Sequence, residues 1–287
     1  MAFSTLRQRY LAYNLRLLPQ ITTPPIRGNG RGRFFSSSGP VHNEHFEVER
    51  KFRYDPALIP VLKSNQGEQL FKSVQFLRER RFTDIYYDNH SSDYPLTTQD
   101  VWFRQRDGVW QCKVPTGLAT SMDSYRELTQ TMEIADFLDG FLSPVTSSPT
   151  PPVSSDPTEF ERYLHTRHGL SPYCTISTTR QCYLLDDEFS LDLDAADFGH
   201  HVGEMELVVY SSEQVREAER RIASMCLRHQ WFFDVGDMDR PIIGKLSGYI
   251  SRFNTRQWEL MGKSTVLKKK IETESNGLDR VTKEVST

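Results

Sequence analysis

Phe46-Glu47-Val48-Glu49-Arg50-Lys51-Phe52-Arg53 alternates in kind: Glu47, Glu49, Lys51 and Arg53 take every second place, and Phe46, Val48 and Phe52 lie between them. Successive side chains of a strand point to opposite faces, so this stretch reads as a strand with one charged face and one largely apolar face. The same period of two returns along the chain. Trp102, Arg104 and Arg106 share a face, Gln111 and Lys113 extend it opposite Trp110 and Cys112, and Tyr125 with Glu127 fits it. Asp192 and Asp194 alternate with Leu191 and Leu193, and Glu204 and Glu206 alternate with Met205 and Leu207.

For any one strand, a sheet with a wet face and a dry face explains the pattern. Over six strands the signs are segregated, with acid pairs at Glu47/Glu49, Asp192/Asp194 and Glu204/Glu206 and a basic pair at Arg104/Arg106. Like charges about 4 Å apart repel by roughly 4 kcal/mol at an effective dielectric near 20, so something must compensate them. A sheet of this length closes readily into a barrel, and its charged face then lines a lumen. Basic groups there attract anions and acidic groups attract cations, and a polyphosphate carrying Mg²⁺ satisfies both.

Further strands are predicted over 72–87, 100–106, 109–114, 124–129, 175–185, 189–194 and 203–210, with a tight hairpin at Asp107-Gly108. Helices are predicted over 56–66, 132–142, 159–168, 214–229 and 244–253; in the fourth, Val215, Ala218, Ile222, Met225 and Cys226 share one face. The fold class that follows is α+β: a closed eight-stranded antiparallel barrel with helices packed outside. Residues 143–158 are a Pro/Ser/Thr-rich flexible loop inside one domain spanning 41–260, and 261–287 form a polar disordered tail.

Residues 1–43 hold six arginines, no lysine and no acid, with Leu6, Tyr10, Tyr13 and Leu17 at near-helical spacing. That is the composition of a mitochondrial transit peptide, assigned here to residues 1–40, and it points to the mitochondrial matrix, or to the cytoplasm if the segment is not a targeting signal. Arg33-Phe34-Phe35-Ser36 resembles a processing-peptidase site, and loss of residues 1–35 moves the formal charge from −3 to −9. An acidic protein is a poor partner for nucleic acid. No apolar run approaches the roughly 18 residues of a membrane span. The four cysteines form no CxxC pair, against a zinc or disulfide scaffold.

Glu47-Val48-Glu49-Arg50-Lys51 resembles the ExExK signature of the CYTH superfamily, the triphosphate tunnel enzymes. Arg104-x-Arg106, Lys113, Tyr125-x-Glu127, Arg180, Asp192, Glu204-x-Glu206 and Lys245 follow in that family's order. Tyr86-Tyr87-Asp88, Trp102–Arg106 and Asp192–Gly199 are similar to the thiamine triphosphatases within it. The resemblance implies hydrolysis of the terminal phosphate of a small triphosphate, thiamine triphosphate first, by a monomer with Mg²⁺ (Mn²⁺ as alternative). It implies that Lys51, Arg53, Arg104, Arg106, Lys113, Arg180 and Lys245 bind the phosphates. It implies that Glu47, Glu49, Glu127, Asp192, Asp194, Glu204 and Glu206 hold metal. Tyr86 with Lys113 is the family's pointer to the group that orients the attacking water, on the ground that a lysine among cations has a lowered pKa. Trp102, an aromatic on the charged face, suits the cationic thiazolium ring.

Taken alone, Arg53 reads as a solvated cation at a strand end, Asp194 as a partner that orients a basic neighbour, and Lys245 as an exposed helical lysine. His200-His201 reads as a loop pair. The same pattern also fits an inorganic tripolyphosphatase, an adenylyl cyclase of this superfamily, or a non-catalytic polyphosphate-binding module.

Overall fold

The structure, a computed structural model of the protein, describes residues 46–116, 122–142, 156–236 and 242–264. The expectations for residues 1–40, for 143–155 and for the tail from 265 onward lie outside the described residues. Its strands are β1 (Phe46–Phe52), β2 (Val74–Asp88), β3 (Trp102–Arg106), β4 (Val109–Pro115), β5 (Asp123–Leu128), β6 (Ser171–Leu185), β7 (Phe189–Ala196) and β8 (His200–Val209). Its helices are α1 (Ile59–Ser64), α2 (Thr131–Leu142), α3 (Pro157–His168), α4 (Val215–Arg228), α5 (Lys245–Phe253) and α6 (Thr255–Lys263).

All eight strands pair antiparallel, in the order β1-β5-β4-β3-β2-β6-β7-β8, and the ring closes because β1 pairs with both β5 and β8. Local chemistry sets the corners. Asp107 and Gly108 both take positive φ, 46° and 83°, which is the twist a two-residue hairpin needs. Asp186 and Asp187 do the same between β6 and β7, and Asp186 accepts the Lys72 amide at 2.7 Å. Asp156 caps α3 by accepting from the Thr158 and Glu159 amides, and Gly169 ends it in the left-handed region.

The outward faces of β1, β7 and β8 place Val48, Phe52, Leu191, Leu193, Met205 and Leu207 in one core with Val215, Ala218, Ile222, Met225 and Cys226 of α4. On the opposite side Phe103, Trp110, Cys112 and Leu128 pack with Ile134 and Leu138 of α2 and Phe160 and Leu164 of α3. A third cluster sits at one end of the barrel. There Leu246 and Ile250 of α5 and Met261 of α6 meet Tyr86, Cys174, Ile176 and Ala196, with Trp102 at the edge. All four cysteines are buried and free. No helix among the described residues is long and apolar enough to cross a membrane.

Two expectations are corrected. His200 and His201 open β8 rather than lying in a loop, and they do not form a metal pair because neighbours in a strand face opposite ways. The helical region does not stop at 260: Asn254 caps a last helix, α6, which runs to Lys263.

Candidate active site

The charged stripes converge on the inside of the barrel, and strand register explains how. Glu49 lies opposite Glu206 and Lys51 opposite Glu204 across β1 and β8, while Tyr125 lies opposite Glu47 across β5. Trp102 faces Lys113, Lys113 faces Glu127, and Arg180 faces Asp194. Cross-strand partners share a face, so closure alone brings these groups together.

The acidic side centres on β1. Glu47 and Glu49 are 6% and 5% exposed although both are carboxylates. Lys113 Nζ stands 2.8 Å from Glu47 Oε2 and 3.0 Å from Glu49 Oε2, and only the second contact has hydrogen-bond geometry, so Glu47 Oε2 is a buried acceptor without a donor. Burial first, then the charges of Glu127 and Glu49, raise the Glu47 carboxyl to about 7 against the pull of Lys113. Burial also acts on Glu49, but Lys113 and Lys51 outweigh it and hold that carboxyl near 2. Lys51 bonds Glu49 at 2.7 Å and pairs with Asp123. Burial and the neighbouring Glu47 push the Glu206 carboxyl well above its ordinary range.

The basic side centres on Asp84, which has no exposed surface. Arg106 grips it with two bonds, Nε to Oδ1 at 2.6 Å and Nη2 to Oδ2 at 2.8 Å, and Arg104 Nη1 lies 3.7 Å away. Arg104 also donates to Gln111 Oε1 at 3.0 Å and to the Tyr86 hydroxyl at 3.4 Å, with Glu127 at 3.8 Å. Arg180 donates to both Asp194 oxygens, at 2.5 and 2.6 Å, to Glu204 at 3.0 Å and to Asp192. Lys245, the first residue of α5, is 5% exposed and reaches Asp194. Trp102 Nε1 donates to the Tyr125 hydroxyl at 3.0 Å, which in turn donates to Asp100 at 3.0 Å.

Several site expectations change. Lys113 does not sit among cations: burial would lower it, but Glu47 and Glu49 beside it push it well above its ordinary value, the reverse of the expected shift. Burial raises the Tyr86 hydroxyl to about 12, and it too stays protonated at neutral pH. Both of Asp194's oxygens accept from Arg180, and Oδ2 also from Lys245, so it orients those cations. Lys245 is buried rather than exposed. Arg53 lies past the end of β1 in a bridge to Asp234, half-exposed, with Nη1 3.2 Å from the Asp234 carboxylate, and does not join the lumen cluster. Sequence reasoning missed Asp84, Asp123 and Arg80. The first and last share the parity of Tyr86 along β2, a signal that was present but unread because Phe82 interrupts the charges.

Among the described residues no ready-made cage of three or more acidic, His or Cys groups stands open to a metal, because lysines and arginines lie between the carboxylates. The donor set nevertheless fits a hard divalent cation. Glu206 has no basic partner within ion-pair distance among the described residues, Glu47 Oε2 accepts no hydrogen bond, and both carboxyls are raised by burial first and by neighbouring carboxylates after it.

A closed antiparallel barrel whose lumen holds buried, interleaved acids and bases defines a charged-tunnel protein. The CYTH domain family matches residues 45–226, and the chain belongs to that family. It is similar to the thiamine-triphosphatase of Homo sapiens, 28% identical over 193 residues that make up 61% of this chain and 74% of that one. The thiamine-triphosphatase of Macaca fascicularis is 27% identical over 195 residues with the same coverage. A Hippeastrum protein described as a putative adenylyl cyclase with a dominant triphosphatase activity aligns over 72% of this chain and 96% of its own, at 13% identity and a TM-score of 0.41. A putative adenylate cyclase from Vibrio parahaemolyticus aligns over 70% and 95%, at 16% identity and a TM-score of 0.42.

Proposed function

We propose that the protein hydrolyses the terminal phosphate of thiamine triphosphate, with a divalent cation, to give thiamine diphosphate and inorganic phosphate. The observation that carries this is the lumen itself, where Lys51, Arg104, Arg106, Lys113 and Arg180 of the strands, with Lys245 of α5, meet Glu47, Glu49, Asp84, Glu127, Asp192, Asp194, Glu204 and Glu206 at low exposure. Such an arrangement is costly without a ligand that brings both signs. Arg104 and Arg106 are pre-aligned by Asp84, and Arg180 and Lys245 by Asp194; fixed cations of this kind stabilise charge that develops on phosphate oxygens without reorganising. Lys51 and Lys113, both protonated, hold the chain from the β1 side. Tyr86 keeps its proton and is available as a hydrogen-bond donor rather than as a base. Glu47, Glu49, Glu127, Asp192, Glu204 and Glu206 are the groups that would hold Mg²⁺, which when bound neutralises phosphate charge.

Trp102 supports thiamine over inorganic tripolyphosphate as substrate. It lies half-buried at the lumen end capped by α5 and α6, its indole fixed by Tyr125. The reading is tested by assaying thiamine triphosphate, tripolyphosphate and ATP side by side with Mg²⁺. A kcat/KM for thiamine triphosphate at least tenfold above the others supports it, and a preference for tripolyphosphate overturns the substrate. The Arg-rich start supports import into mitochondria. Amino-terminal sequencing of the protein recovered from mitochondria should begin near residue 36, and recovery only from the cytosol with Met1 intact would refute import.

A further inference from the structure

Phe82 lies on the inward face of β2 and is 3% exposed, an apolar ring among charges. Four cations surround it. Arg106 Cζ is 4.0 Å from the ring centroid, Arg80 Cζ 5.0 Å, Arg180 Cζ 5.4 Å and Lys245 Nζ 5.7 Å. Arg80 and Arg180 are also direct register partners across β2 and β6.

Three of the four are matched by carboxylates. Arg106 has Asp84, Arg180 has Asp192, Asp194 and Glu204, and Lys245 has Asp194. Arg80 has no carboxylate within ion-pair distance among the described residues, and its Nε is buried with no hydrogen-bond partner. Burial, then the charges of Arg180 and Arg106, work against its protonated form. An unpaired buried donor in a crowd of like charges weakens the fold. Such an arrangement is characteristic of a site whose missing partner is the ligand, where stability is given up for binding.

Successive inward residues of β2 and β3 give a direction. Arg104 pairs with Tyr86 and Arg106 with Asp84, so Phe82 and then Arg80 lie further along β2, away from Trp102. We propose that Arg80 is a further phosphate-binding residue, which donates to the oxygens of the phosphoryl group at the end of the lumen opposite Trp102. This deepens the triphosphate reading and rests on it. Arginine suits the role because its planar fork offers paired donors to phosphate, and its guanidinium already lies over the Phe82 ring around which the other cations gather.

Calorimetric titration with Mg²⁺ and inorganic tripolyphosphate tests it, on the full chain and on Arg80→Met and Arg80→Lys. Methionine keeps the contact with Phe82 and removes the charge. Arg80→Met should bind tripolyphosphate about tenfold more weakly, and Arg80→Lys should recover most of the loss. A purely structural arginine predicts a lower melting temperature for Arg80→Met. Here the unliganded variant should melt at or above the parent, and the rise on adding tripolyphosphate should be smaller. Parent-like affinity in Arg80→Met, or a much lower melting temperature without ligand, overturns the role of Arg80 and leaves the triphosphate reading standing. If the parent shows no saturable binding of tripolyphosphate, the triphosphate reading falls and Arg80's role with it.

Discussion

Asp84 holds the two arginines of β3 in place, so its replacement has a defined cost. Asp84→Asn keeps the shape but leaves Arg104 and Arg106 without their buried counter-charge, which should cost about 3–5 kcal/mol in urea unfolding. The pH dependence has a fixed sign. Burial pushes the Asp84 carboxyl up, but Arg104 and Arg106 outweigh it and hold it well below the usual carboxylate range. A depressed folded-state pKa contributes stability above the unfolded value, about 3.9, and loses it as pH falls toward the folded value. The gap between parent and Asp84→Asn should therefore be flat from neutral pH downward and narrow only below about pH 4. A gap already closing near pH 6 would assign the effect to another group. Trp102 is the other residue with a sharp outcome. Trp102→Ala should raise KM for thiamine triphosphate about 2- to 30-fold, the span of a cation–π contact of roughly 0.5–2 kcal/mol, and leave tripolyphosphate turnover nearly unchanged. Equal effects on both substrates remove Trp102 as the reader of the thiazolium ring.

At the level of elements, β1 and β8 meet at Gly203, on the face turned away from the lumen. A Cβ built there would lie 2.1 Å from Phe52 Cζ, and Phe52 is fully buried with its ring held 4.8 Å from that of Phe233. Gly203→Ala should therefore cost about 1–3 kcal/mol of stability through overpacking while kcat holds at a permissive temperature. A neutral stability change would mean that Phe52 moves freely. The strands were legible because a period of two survives in β1, β3, β4, β7 and β8, and α4 was legible because Val215, Ala218, Ile222, Met225 and Cys226 share one face. Two features were not. α6 carries only Gln257 and Met261 as buried residues, so no apolar stripe announces it. Lys245 reads as an ordinary exposed lysine because its sequence neighbours do not reveal that the first turn of α5 passes over the lumen; only the third cluster, closing the barrel end, puts it there.

For the whole molecule, the composition of the lumen was largely readable, but the pairing inside it was not. Which acid meets which base depends on register and closure, and those placed Lys113 beside Glu47 and Glu49 rather than among arginines, reversing its expected pKa shift. The same closure leaves Glu206 without a basic partner at ion-pair distance among the described residues, while Glu47 shares Lys113 with Glu49. A cation and a polyanion should therefore stabilise the barrel together more than either does alone. A ligand that binds only the folded state adds about 2.7 kcal/mol at a hundred times its Kd. The melting temperature should rise clearly with Mg²⁺ plus tripolyphosphate, and chelation should remove most of that rise. In the double variant Glu47→Gln/Glu49→Gln, glutamine preserves volume but takes counter-charge from Lys113 and Lys51, so the variant should melt below the parent and is assayed at a temperature where it is folded. Its Mg²⁺-dependent rise and its metal-dependent turnover should both disappear. If tripolyphosphate with a chelator stabilises the parent as fully as it does with Mg²⁺, the carboxylates of β1 serve only to hold Lys51 and Lys113, and the anion is gripped by the basic side of the tunnel alone.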